Sequence, residues 1–254
     1  MVNLSPSIIS TPFGTDIYYQ GSDLSNGSKP ALLYFALSAF TTLHEDPFNQ
    51  PVAPLIENDI RVFSWDLPYH GIHLDPNEAI RHWASALAEN PFFISDFIHI
   101  CQQNLQYLIE QGWIDPARLA VAGISRGGLI ATHLAAQDAR IKTVLGFAPF
   151  TTASLVEEFK PLPLQQIEQI DLIQIADRLT HAHLRFYIGN RDVRVGTDAC
   201  YTFIRELTES AFAKGIRSPS VELNIYPSIG FKGHGTPPYI FQAGTNWIKA
   251  QLLK

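Results

Sequence analysis

With 254 residues, 46% of them hydrophobic and 17% charged, the chain is long enough for one sizeable α/β core and too apolar for a disordered segment. A net charge of −6 and the lack of any Lys/Arg-rich run argue against a nucleic-acid or acidic-membrane partner. No window of roughly 18 apolar residues spans a bilayer. The N-terminal run MVNLSPSIISTPFGTD has no signal-peptide pattern, so a cytoplasmic location is expected. Cys101 and Cys200 stand far apart in no metal-like spacing and read as free buried thiols rather than a disulfide.

In chain order, residues 7–10 and 16–20 read as two short strands around the turn Pro12-Phe13-Gly14, a starting hairpin. Residues 21–29, rich in Ser, Asn and Gly, form a surface loop. The continuous apolar run 31–36 is a strand covered on both faces, and 60–65, 119–122, 143–148 and 184–188 repeat the pattern. Residues 221–226 alternate apolar and polar, as an edge strand does. Helices are expected over 52–58, 91–111, 127–137, 197–214 and 239–253. In the second of them Phe93, Phe97, Ile100, Leu105, Leu108 and Ile109 make the buried stripe. Strands alternating with helices imply crossover units and a largely parallel sheet in a single domain. Residues 150–180 break the rhythm. With Pro161 and Pro163 and a mixture of acidic and aliphatic residues, they read as an inserted lid or cap of short helices.

The strongest local signal is Gly123-Ile124-Ser125-Arg126-Gly127, which follows a buried strand and opens a helix. A Gly-x-Ser-x-Gly turn there lifts the serine hydroxyl clear of the backbone and aims the first N–H groups of the helix at a reacting oxygen. The run from Ile114-Asp115-Pro116 through Arg126-Gly127-Gly128 resembles the α/β-hydrolase superfamily, in its prolyl-oligopeptidase-like and acetyl-esterase-like branches. The likeness continues in 138–144 and in Phe147-Ala148-Pro149, and covers most of the chain from Pro30 onward. It implies an α/β-hydrolase fold: a mostly parallel central sheet flanked by helices, with a small inserted lid. It also implies a catalytic triad in the chain order Ser, acid, His.

A serine hydroxyl needs a base, and the base an orienting acid. Of the nine histidines, only His133, His181, His183 and His234 follow Ser125. His133 sits in the elbow helix and should point away. His181 and His183 precede a strand and belong at the opposite end of the sheet. His234, in the glycine-bearing loop Gly230-Phe231-Lys232-Gly233-His234-Gly235, is the expected base. Asp192 leaves the strand 184–188 in the loop Gly189-Asn190-Arg191-Asp192, which matches the family's acid loop; its plainer role would be capping the next helix. The other possible acid position, after 143–148, holds no carboxylate.

For the oxyanion hole the resemblance implies the N–H of Arg126 and one from the loop after 31–36. Relatives carry His-Gly there, but this chain reads Ala36-Leu37-Ser38-Ala39-Phe40, so Ser38, or else Leu37, is expected to donate. His44, Glu45 and Asp46 read as a solvated turn. Asp66-Leu67-Pro68-Tyr69-His70-Gly71 reads as a structural loop, with Asp66 hydrogen-bonding it. His70 and His73 find no third ligand at a persuasive spacing, and no metal or other cofactor is expected. Leu37, Phe40 and Phe150 are the expected substrate contacts. From the lid, Phe159, Leu162, Leu164, Ile167, Ile170, Leu172 and Ile173 are candidates for an acyl pocket or for packing. The Arg126 side chain reads as a surface arginine or as a partner for a carboxylate. The expected activity is hydrolysis of a small or medium carboxylic ester. A small-peptide hydrolase or acyltransferase with the same triad is the alternative, and a silent ligand-binding relative the third.

Overall fold

A computed structural model describes residues 5–71 and 74–254; His73 lies outside them. Eight strands make one sheet: β1 (Ser7–Ser10), β2 (Asp16–Gln20), β3 (Lys29–Phe35), β4 (Arg61–Ser64), β5 (Ile114–Ile124), β6 (Thr143–Phe147), β7 (His183–Gly189) and β8 (Val221–Tyr226). Their spatial order is β1-β2-β4-β3-β5-β6-β7-β8. The β1–β2 and β2–β4 pairs are antiparallel and every other pair is parallel. The alternating strand β8 lies at the edge, as its pattern requires.

The helices are α1 (Ala39–His44), α2 (Val52–Ile56), α3 (Ala79–Glu89), α4 (Phe93–Glu110), α5 (Arg126–Gln137), α6 (Leu164–Ile167), α7 (Thr197–Ala213) and α8 (Pro238–Leu252). Successive residues of a strand point to opposite faces, and in β3 both sets are apolar. Ala31, Leu33 and Phe35 join a core with α3, α4, α5 and α7. Leu32 and Tyr34 join a second core with Leu43, Leu55, Phe241 and Ile248 from α1, α2 and α8. That double burial is why the strand reads as an unbroken apolar run.

Two helices, α1 and α3, were not expected. In α3 the buried residues Ala79, Ile80, Trp83, Ala84 and Leu87 recur at helical spacing, but the helix begins without a side-chain cap, and His82, Arg81 and Ser85 dilute the pattern. The buried stripe of α4 runs through Ile94, Phe97, Ile98, Cys101, Leu105 and Leu108, whereas Ile100 faces outward. A stripe centred on Phe97 and Cys101 leaves position 100 on the far side of the 3.6-residue turn. Both cysteines are buried and unbonded.

The insertion after β6 consists of α6 and several turns of 3₁₀ helix. Phe159, Ile167, Ile170 and Leu172 are buried in the same core as α5 and α7, and Leu164 is exposed. The buried His133 of α5 donates from Nε2 to Ile170 O at 2.8 Å. Asp171 accepts the Ala153 N–H at 2.7 Å. Most of the segment's apolar residues are packed into the domain core. No helix of the described residues is long and apolar enough to cross a membrane.

Candidate active site

Ser125 joins β5 to α5 with φ 52° and ψ −118°, a conformation that side-chain-bearing residues rarely adopt. Backbone bonds hold it there: Ser125 N–H donates to Phe147 O, and Phe150 N–H donates to Ser125 O, each at 3.0 Å. The turn is tight enough that a Cβ on Gly127 would lie 2.0 Å from Phe35 O. Glycine is therefore required where α5 passes the end of β3.

The other two groups leave the ends of β7 and β8. Their loops are stitched together by Arg191 N–H to Ser228 Oγ at 2.7 Å, Ser228 N–H to Asn190 Oδ1 at 3.0 Å and Val193 N–H to Lys232 O at 3.0 Å. Gly233, at φ 76°, lets the chain pass Arg191 O, which a Cβ would approach to 2.2 Å. His234 Nδ1 then meets Asp192 Oδ2 at 2.7 Å, and its Nε2 meets Ser125 Oγ at 2.9 Å. A carboxylate only accepts, so the Nδ1 proton points at Asp192 and the Nε2 lone pair faces the serine hydroxyl. Asp192 is buried, and its Oδ1 accepts the N–H groups of Arg194 and Val195 at 2.9 and 3.1 Å. It caps its own loop, while Thr197 ties that loop to β7 through Gly189 O. His133, His181 and His183 stay apart from this group: His133 serves the insertion, and His181 binds the carbonyls of Arg178 and Ile141.

Near the serine, Ser38 starts α1 and its Oγ accepts the Thr41 N–H at 3.1 Å. Thr42 Oγ1 takes the N–H groups of Ala36 and Leu37, and Asp66 Oδ1 takes that of Ala39 at 2.7 Å. Among residues 36–39 only the Ser38 N–H is left without an acceptor in the described residues, which disfavours Leu37 as the donor. Asp66, expected to hydrogen-bond its own loop, instead fixes the start of α1. Arg126 begins α5, so its N–H has no intrahelical acceptor.

A cavity of about 840 Å³ opens above the serine. Leu37, Phe40, Phe48, Ile124 and Phe241 give it apolar walls, and Ser125, Arg126 and His234 line it together with Ser38 and His70. Phe150, expected to contact substrate, does not line it. Its ring packs on Phe159, and it borders a smaller cavity of about 90 Å³ that Ser125, Arg126 and His234 also line, together with Ile80, Val156 and Arg194. None of the insertion's apolar residues lines the large cavity, because they are spent in the core. His70 was expected as a loop residue alone. Its Nδ1 donates to Pro68 O at 2.8 Å, while burial and, less strongly, the Arg126 charge push its pKa down to about 4.

Residues 94–235, more than half of the 254, match the prolyl oligopeptidase family. The chain belongs to that family. Its fold is also that of a puromycin-hydrolyzing peptidase from Mycobacterium tuberculosis (18% identity, TM-score 0.69), an acylaminoacyl peptidase from Pyrococcus horikoshii (14%, 0.70) and an acetyl xylan esterase from Paenibacillus sp. R4 (20%, 0.65). The likenesses cover 98%, 98% and 97% of this chain, but 40%, 42% and 83% of the others. It therefore spans less than half the length of the two peptidases. No curated protein sequence matches it. At these identities the solved structures speak for the α/β-hydrolase fold, as the elbow motif implied.

Sequence reasoning missed Phe48 and Phe241 as cavity walls. Phe48 follows α1 just beyond His44–Asp46, which read as a solvated turn, and Phe241 sits on α8, whose inner face looks like ordinary core. The apolar pairing of α1 and α8 across the serine is a tertiary fact that neither segment signals alone.

Proposed function

We propose that this family member is a serine esterase acting on small or medium carboxylic esters. The reading rests on one observation: the hydrogen-bonded chain Ser125–His234–Asp192, with an open cavity on the serine. Ser125 Oγ attacks the carbonyl carbon while His234 Nε2 takes its proton, and Asp192 holds the imidazole in the required tautomer. The tetrahedral oxyanion is received by the N–H groups of Arg126 and Ser38. His234 then gives the proton to the leaving alkoxide, and the same base draws a proton from the water that frees the acid and restores Ser125. The chemistry asks for no metal or organic cofactor.

The acetyl xylan esterase, 83% of whose chain is covered, supports ester cleavage. The family match and the peptidase neighbours favour small-peptide hydrolysis as a second reading. A fluorophosphonate probe should label the native protein and leave Ser125→Ala unlabelled; labelling of that variant, or none of the wild type, ends the case for the serine. Nitrophenyl esters of increasing acyl length, run beside aminoacyl nitroanilides, separate the two readings by which series is turned over.

A further inference from the structure

Three charges lie near one another beside the serine turn. Arg194 and Glu158 are paired bidentately, at 2.9 and 3.0 Å, which uses both carboxylate oxygens. The third, the Arg126 guanidinium, feels the Glu158 charge but has no acid hydrogen-bonded to it. Its Nη1 is buried without a hydrogen-bond partner, and its Nη2 reaches only Pro76 O, at 3.3 Å. A buried charge without a counter-charge is costly and is ordinarily paired. Burial first, then the like charge of Arg194, brings the Arg126 pKa down to about 10, which still leaves the group cationic at neutral pH. A second orphan lies in the same cavity wall: His70 Nε2 is buried and unpartnered, and because Nδ1 carries the proton it is an acceptor.

We propose that the cavity takes an ester whose acyl or alcohol part bears a carboxylate, seated on the guanidinium of Arg126; this rests on the hydrolase reading and names its substrate class. A carboxylate beside this guanidinium supplies the hydrogen-bonded counter-charge that the protein does not, and a guanidinium suits a carboxylate's planar geometry. A singly charged group is what the wall supports. Arg126 is the one Arg or Lys lining the cavity, the exposed Glu45 also lines it, and the remaining walls are largely apolar. A phosphate dianion would leave charge uncompensated. An N–H or O–H on the same ligand would in addition satisfy His70.

The test compares matched esters. Monoethyl fumarate against ethyl crotonate places the charge on the acyl side without internal attack. The 3-carboxy-4-nitrophenyl and 4-nitrophenyl acetates place it on the leaving side. After division by alkaline hydrolysis rates, the anionic member of at least one pair should lead in kcat/KM by roughly ten-fold or more. That ratio should fall by a similar factor in Arg126→Gln and partly recover in Arg126→Lys. Calorimetry of fumarate on Ser125→Ala, with and without Arg126→Gln, reads binding independently of chemistry. Turnover of neutral esters with no charge preference in either pair, and no Arg126-dependent binding, overturns the subsite and spares the esterase. Arg126-dependent binding with no ester turned over supports the subsite and removes the esterase.

Discussion

At the scale of single residues, the elbow is a packing constraint before it is a catalytic one. Gly127→Ala should be severely damaging, because its methyl would overlap Phe35 O and force α5 away from β3. A loss of about 3 kcal/mol or more is expected in urea denaturation, with activity lost in parallel. His234→Ala should instead leave stability nearly unchanged and lower turnover of an activated ester by roughly 10⁴–10⁶-fold in stopped-flow or steady-state assays. A wild-type-like rate would remove the imidazole from the mechanism. These positions were legible in the sequence for different reasons. The elbow is a local motif, whereas Asp192 and His234 were found through the chain order that the resemblance implies. Phe150 lies close to the serine through its backbone, while its ring packs on Phe159 beside the smaller cavity.

At the scale of elements, the insertion and α5 share a buried histidine. Removal of His133 from solvent, with the Arg178 charge nearby, lowers its pKa to about 4 against an ordinary 6.5. The folded protein therefore keeps His133 neutral while the unfolded chain takes up a proton below pH 6.5. Unfolding then binds the extra proton, so stability is full above that pH and declines as pH falls from 6.5 towards 4. Urea midpoints at pH 7 and 4.5 should differ by about 2–3 kcal/mol from this group alone. In His133→Leu the slope should be shallower, even though Ile170 O loses its donor and overall stability drops. The sequence marked 150–180 as an interruption of the strand–helix rhythm, which was a sound reading of topology. It could not tell a lid from a buttress, because aliphatic residues on short helices serve both and only the partner surface decides. The short helix α1 was invisible for a related reason: its six residues are set by Ser38 and Asp66 at its start, not by periodicity.

Across the whole molecule, the sheet order followed from alternating strands and helices, but the ties between distant segments did not. Arg61, fully buried, donates to the carbonyls of Ser22, Asp23, Gly27 and Trp113. One guanidinium thus joins the loop after the hairpin to β4 and to the approach to β5. Arg61→Met should take a donor from each of these carbonyls, leaving those of Ser22 and Gly27 unpaired, and lower stability on the order of 3 kcal/mol, with KM for a neutral ester unchanged. Within the expected strand 60–65 Arg61 carries no signal of this role, since its partners are backbone groups with no residue signature.

Apart from Ile124 and Arg126, which flank the serine, the main cavity walls come from other stretches of chain than the reacting groups. Leu37, Ser38, Phe40, Phe48 and His70 all precede residue 94, where the family match begins, and Phe241 follows residue 235, where it ends. Ser125, Asp192 and His234 lie within it. The groups proposed to cut the ester thus lie within the stretch that matches the family, while most of the walls proposed to receive it lie outside that stretch. Grafting residues 36–48 from a relative would accordingly be expected to change which esters are accepted before it changes how they are cut.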